Sequence, residues 1–109
     1  MAALGERFMR ILLFFDLPTL SKSDRRVASQ FRHSLIKDGY HMLQLSVYAR
    51  ICKGVENAEA HIRRLRNFSP TTGSIRVLLV TEKQYEDMLI IIGNKKKVEE
   101  LDDRQLCFF

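Results

Sequence analysis

Phe8-Met9-Arg10-Ile11-Leu12-Leu13-Phe14-Phe15-Asp16-Leu17-Pro18 is the stretch on which the fold turns. From Phe8 to Phe15 it is short and almost wholly apolar, the pattern of a central strand covered on both faces. Asp16-Leu17-Pro18 ends it, because proline cannot donate to a ladder and steers the residue before it away from helix. The strand therefore finishes by presenting one carboxylate, Asp16, at the mouth of a loop. Its longest apolar run, Ile11 to Phe15, falls far short of the about 20 residues that span a bilayer.

On the C-terminal side, Ser21 reads as a helix N-cap with Asp24 in the capping-box position. Val27, Ala28, Phe31 and Leu35 then share one arc of the wheel, and Lys22, Arg25, Arg26, Arg32, His33 and Lys37 the other, so the helix has a basic outer face. Gly39 closes it. His41 to Ile51 alternates, with Leu43, Leu45, Val47, Ala49 and Ile51 on an apolar side and Gln44, Ser46, Tyr48 and Arg50 on a mixed side that suits an open sheet face or an interface. After Gly54 a second helix is expected over about Val55 to Phe68, with Val55, Ala58, Ile62 and Leu65 inward. Ser69 to Gly73 is loop by composition. Ile75 to Thr81 and Tyr85 to Ile92 read as strands, Lys95 to Asp103 as a charged linker, and Gln105 to Phe109 as a short apolar strand. The expected class is α+β, a ferredoxin-like βαββαβ arrangement with two helices on one face of a four-stranded antiparallel sheet. The spare C-terminal strand has nothing left to pair with in its own sheet, which points to a homodimer.

A chain of 109 residues is expected to form one domain. The first ten residues carry Glu6, Arg7 and Arg10 and lack a signal peptide's apolar core, so the expected location is the cytoplasm, with no membrane partner. Cys52 and Cys107 belong to no CxxC or Cys/His cluster and read as reduced structural thiols. Charge is unevenly spread: residues 1–81 hold 13 Lys and Arg against 6 Asp and Glu, and residues 82–109 hold 5 against 7. A basic body of this kind attracts nucleic-acid backbones. Base stacking as in an RNA-recognition motif is not expected, because Ser74 to Thr81 contains no aromatic residue. Contact with phosphates by Lys and Arg is the better mechanism.

Asp16 leads the candidates for chemistry. A carboxylate at a rigid strand end is a hard oxygen ligand for Mg²⁺ or Mn²⁺, and it is equally a good turn-former. Metal-assisted phosphodiester hydrolysis usually draws on several acidic ligands, and no second acidic residue stands at a matching strand end. Glu82 reads as part of an exposed turn. A metal site would need Asp16 from two subunits. His33, His41 and His61 read as solvated or structural, and Lys95-Lys96-Lys97 as a solvated linker.

Met9 to Pro18 resembles the opening strand of the CRISPR-associated protein two family. The likeness continues through Phe31-Arg32, Gly39-Tyr40, Leu43 to Tyr48, Gly73 to Val77 and Thr81 to Tyr85, so it covers essentially Met9 to Ile92. The last stretch is most like members accompanying a Cas9-type effector. Residues 1–8 are read as an N-terminal extension, 9–92 as the ferredoxin-like domain, and 93–109 as a charged linker and dimer strand. The resemblance implies a homodimer whose C-terminal strand reaches across to the partner's sheet. It also implies a role in spacer acquisition, as a scaffold holding protospacer DNA together with the integrase subunit, the CRISPR-associated protein one family. Arg25, Arg26, Arg32, Lys37, Arg63, Arg64 and Arg66 are the candidates for gripping double-stranded DNA. The alternative it implies is an Mg²⁺-dependent endonuclease, acting on RNA or DNA, with Asp16 paired across the dimer axis as metal ligand and catalytic residue.

Overall fold

A computed structural model describes residues 8–93. The order is β1 (Phe8–Asp16), α1 (Lys22–Lys37), β2 (His41–Gln44), β3 (Val47–Lys53), α2 (Val55–Phe68), β4 (Ser74–Thr81) and a one-turn α3 (Glu82–Glu86). The four strands form one antiparallel sheet in the order β2-β3-β1-β4. This is the expected βαββαβ ferredoxin-like sheet, with β1 in its interior.

Local chemistry accounts for both ends of α1. The Ser21 hydroxyl accepts from the Asp24 amide at 2.9 Å, and the Asp24 carboxylate accepts from the Ser21 amide at 3.2 Å, closing the capping box. At the other end Gly39 donates to the Ile36 carbonyl (3.0 Å) and Tyr40 to the Leu35 carbonyl (2.9 Å), a Schellman ending that needs Gly39 at φ +100°. The core lies between the helices and one sheet face. Ile11, Leu13 and Phe15 of β1 meet Phe31 and Leu35 of α1, Tyr48 and Cys52 of β3, and Ala58 and Leu65 of α2. Phe15 meets Phe31 edge to face at 5.2 Å between ring centroids, and Tyr48 at 5.6 Å.

Four expectations are corrected. First, residues 41–51 are not one strand but a hairpin. Gln44 pairs with Val47 across Leu45-Ser46, with a register shift between Met42 and Gln44, and Ser46 takes φ 68°. The faces are also reversed. Tyr48 and Arg50 point at the helices, because the Tyr48 ring packs on Phe15 and the Arg50 guanidinium reaches α1 and α2. Residues directly opposite in an antiparallel register share a face, so Val47, Ala49 and Ile51 stand with Arg10, Leu12 and Phe14 on the other side.

Second, β1 is covered on one face only. Phe14 is 38% exposed, Ile51 46% and Leu78 53%, so the second face of the sheet is apolar and open. Third, Tyr85 to Ile92 is not a strand. Thr81 caps α3 by a reciprocal box with Gln84 (3.0 and 2.9 Å), and Met88–Ile92 lies exposed. Glu82 is no free turn residue either. It takes two bonds from Arg10, 2.7 Å from Nε and 3.1 Å from Nη2, which hold its carboxyl below the ordinary range. The expected strand at 105–109, Cys107, and Lys95 to Lys97 lie outside the described residues. Among the described residues no helix is long and apolar enough to cross a membrane.

Candidate functional site

Asp16 is the last residue of β1, exposed, on the open face and opposite Ser74 of β4. Two features fix its place. Gly73, at φ +93°, lies so close that a Cβ there would come within 2.7 Å of both the Asp16 carbonyl oxygen and Leu17 Cδ2. Arg25, reaching back from α1, donates from Nη1 to the carbonyls of Thr19 (3.2 Å) and Leu20 (3.1 Å), tying down the loop that follows the carboxylate.

Arg76 is the functional candidate that sequence reasoning missed. It is exposed and stands opposite Phe14, hence diagonal to Asp16 on the same face, a separation of about 7–8 Å between such positions. Its signal was the parity of Ser74 and Arg76 along β4, which puts both beside the β1 carboxylate once the register is known.

The other basic candidates divide by what already holds them. Arg64 is paired with Asp38, which ties α2 to the end of α1. Arg25 serves the loop. Arg32 is half-buried beside Tyr48, where its charge offsets part of the upward push that burial gives the phenol. Arg26, Lys37, Arg63 and Arg66 stay exposed on the two helices. Arg66 also borders a cavity of about 560 Å³ under β4, lined by Ile62, Leu65, Thr71, Thr72 and Ile75 among others.

A buried polar cluster lies on the opposite face of the sheet from Asp16. Arg50 donates to the Asp38 carbonyl, and its Nη2 lies 2.9 Å from His61 Nε2. Burial, then Arg50 and Arg64, push the His61 imidazole below its usual range, with Asp38 opposing. A neutral ring accepting from Arg50 through Nε2 follows. Tyr40, beside it, is pushed up to about 12, chiefly by burial and the Asp38 charge. Arg50 pairs with Ile11, five residues back along β1 from Asp16, roughly 16 Å at about 3.3 Å per residue. The cluster is therefore structural.

Among the described residues no three His, Cys, Asp or Glu side chains come together to hold a metal ion. One chain offers a single carboxylate with the Ser74 hydroxyl across from it. That set does not fit Mg²⁺, which favours octahedral oxygen coordination. What one chain does provide is a rigid, exposed carboxylate with a guanidinium diagonal to it on a sheet face that lacks a covering layer.

The family model described as CRISPR associated protein Cas2 matches residues 9–88. Several curated relatives carry the name CRISPR-associated endoribonuclease Cas2, three of which illustrate the likeness. That of Campylobacter jejuni is 49% identical over 88 residues, covering 81% of this chain and 62% of the relative. That of Acidovorax ebreus is 52% identical over 85 residues, covering 78% and 83%. That of Flavobacterium psychrophilum is 43% identical over 103 residues, covering 94% and 90%. The matched region runs from the central strand through α3 and carries Asp16, Gly39 and Gly73. The chain belongs to the CRISPR associated protein Cas2 family.

Proposed function

We propose that this protein is a metal-dependent endoribonuclease, a phosphodiesterase whose site forms when two copies bring their Asp16 carboxylates together. The observation that carries it is the position of Asp16: exposed, at the end of the interior strand, on an apolar sheet face without a cover. A second copy laid on that face buries Phe14, Ile51 and Leu78. It also supplies the second carboxylate that a single chain lacks. The pair would share one divalent cation, Mg²⁺ or Mn²⁺, which supplies Lewis-acid chemistry at the phosphate. The chain's own part is to hold each carboxylate still through Gly73 and Arg25, and to set Arg76 where it neutralises a phosphate.

The test is Asp16→Asn, assayed on single-stranded RNA and on duplex DNA with Mg²⁺ and with chelator. The expected result is a loss of cleavage of about 10²-fold or more, the scale of an acid–base or ligand group, in a protein that still dimerises. Undiminished cleavage by the purified variant overturns the assignment.

The exposed cations Arg26, Lys37, Arg63 and Arg66 favour a second reading. In it the cytoplasmic homodimer is a scaffold for spacer acquisition that grips protospacer DNA beside the integrase subunit. It calls for sequence-independent binding with a log–log salt slope of about −0.9 per neutralised phosphate. Spacer acquisition by Asp16→Asn separates the two roles. Normal acquisition assigns the cellular role to the scaffold, and lost acquisition assigns it to the carboxylates.

A further inference from the structure

Two left-handed residues flank the end of β1, one immediately before each neighbouring strand. Before β4 stands Gly73, at φ +93°, whose close approach to Asp16 and Leu17 leaves no room for a side chain. Before β3 stands Ser46, at φ 68°. Glycine takes such a conformation without strain. Serine does not, because its Cβ crowds the following carbonyl oxygen. Among the described residues Ser46 is the one non-glycine residue with a positive φ. Strain of that kind persists only where the surroundings over-determine it.

The surroundings of Ser46 do so, and they lead to Asp16. Gln44 and Val47 pair on either side of the Leu45-Ser46 turn, and Val47 pairs with Phe14 of β1. That is the last pair of the β1–β3 register. One residue further along β1, the Phe15 amide donates to the Ser46 carbonyl at 3.1 Å. Phe15 is fixed in turn by its ring, which packs on Phe31 and Tyr48. On the other edge of β1, Phe15 and Asp16 pair with Ile75 and Ser74. The main chain that delivers Asp16 is therefore held from both sides, by β4 and by the strained turn. The register shift between Met42 and Gln44 lies just ahead of that turn, and irregularities of this kind re-aim the strand that carries them.

A two-residue hairpin turn ordinarily takes Asn or Gly at its left-handed positions. Glycine would relieve the strain, and it would also free the turn to visit other conformations. Serine gives up stability and keeps the turn stiff. We infer that Ser46 is a positioning residue for the Asp16 carboxylate. Its confined left-handed backbone fixes the carbonyl that binds the Phe15 amide, and through that bond the direction in which Asp16 leaves the strand. Ser46 acts through the main chain, without its hydroxyl touching substrate. This role rests on the endoribonuclease reading above.

The experiment compares the full-length chain with Ser46→Gly, Ser46→Ala and Asp16→Asn. Cleavage of single-stranded RNA with Mg²⁺ gives kcat and KM, urea unfolding gives the midpoint, and hydrogen exchange followed by NMR reads single amides. Ser46→Gly is expected to raise the urea midpoint, because the strain is gone. It is expected at the same time to lower kcat about tenfold with KM unchanged, as a slightly misplaced reacting group does. Its Phe15 amide is expected to exchange at least about tenfold faster, a local opening, while the buried Ile11 and Leu13 amides slow with the higher stability. A merely structural role would move all three amides together. Ser46→Ala keeps a confined backbone and lacks the hydroxyl, and it is expected to retain a kcat close to that of the wild type. A lower midpoint or an undiminished kcat in Ser46→Gly overturns the positioning role and leaves the Asp16 reading standing. So does a Phe15 amide that slows with the others, or a Ser46→Ala variant as impaired as Ser46→Gly. If Asp16→Asn cleaves undiminished, the endoribonuclease reading itself falls, and the role of Ser46 with it.

Discussion

Replacing Gly39 by alanine tests the joint between α1 and the sheet. The residue sits at φ +100°, and a Cβ there would lie 1.7 Å from Arg50 Nη1 and 3.0 Å from Cζ. The backbone strain alone is worth about 1–2 kcal/mol for a left-handed non-glycine residue. The contact adds to it, because Arg50 must withdraw from the Asp38 carbonyl and His61. Stranding buried polar groups costs about 1–3 kcal/mol. The sum is about 2–5 kcal/mol, a large part of the about 5–15 kcal/mol that holds a typical domain. Urea unfolding followed by circular dichroism reads it directly. In an Arg50→Ala background the clash is absent and the bonds are already lost, so the same substitution should cost only the strain, leaving a coupling energy of about 1–3 kcal/mol. A single-mutant loss below about 1 kcal/mol, or additivity of the two changes, refutes this account of the joint.

Three further outcomes follow from other parts of the molecule. Leu13→Ala, in a side chain with no exposed surface, should cost about 2–5 kcal/mol of stability, seen as a lower urea midpoint. Gly73→Ala should diminish cleavage although Gly73 has no side chain to offer a substrate, because its Cβ would push on Asp16 and Leu17. A comparison of its activity with its circular dichroism spectrum checks that the fold is retained. Acid should destabilise the protein in two steps. His61 binds its proton more weakly folded than unfolded, so the unfolded chain holds more protons below about pH 6.5, and stability drops as pH falls through that value. Glu82, held low by Arg10, adds stability that is full above about pH 4.3 and lost below it. Urea midpoints from pH 8 to 3 should show both, and His61→Asn should erase only the upper one.

The readable parts of the sequence were those where one residue type does one job. Ser21 with Asp24, and Gly39 after Lys37, bounded α1 because their chemistry is local. The position of Asp16 at a strand end was legible from Pro18. The sidedness of β1 was not, since apolar residues occupy both parities and alternation vanishes. The Leu45-Ser46 turn carries neither Asn nor Gly, the usual residues of a two-residue hairpin, and only the backbone reveals Ser46 at φ 68°. Thr81 with Gln84 was a capping box in plain view, masked by the strand-like run that follows it. The fates of Arg25 and Arg64 depend on Thr19, Leu20 and Asp38, contacts that no single stretch announces.

The interior place of β1 has a consequence for how the chain is made. β1 leaves the ribosome before the other described strands and needs neighbours on both sides, yet Leu13 finds Tyr48 about 35 residues later and Val77 about 64 residues later. Between completion of β3 at Lys53 and of β4 at Thr81 the ribosome needs about 1.5–6 s, at roughly 5–20 residues per second. During that interval the most apolar of the described strands has one edge bare. A bare edge of that kind is a template for pairing with another chain, and it closes only when β4 docks against β1.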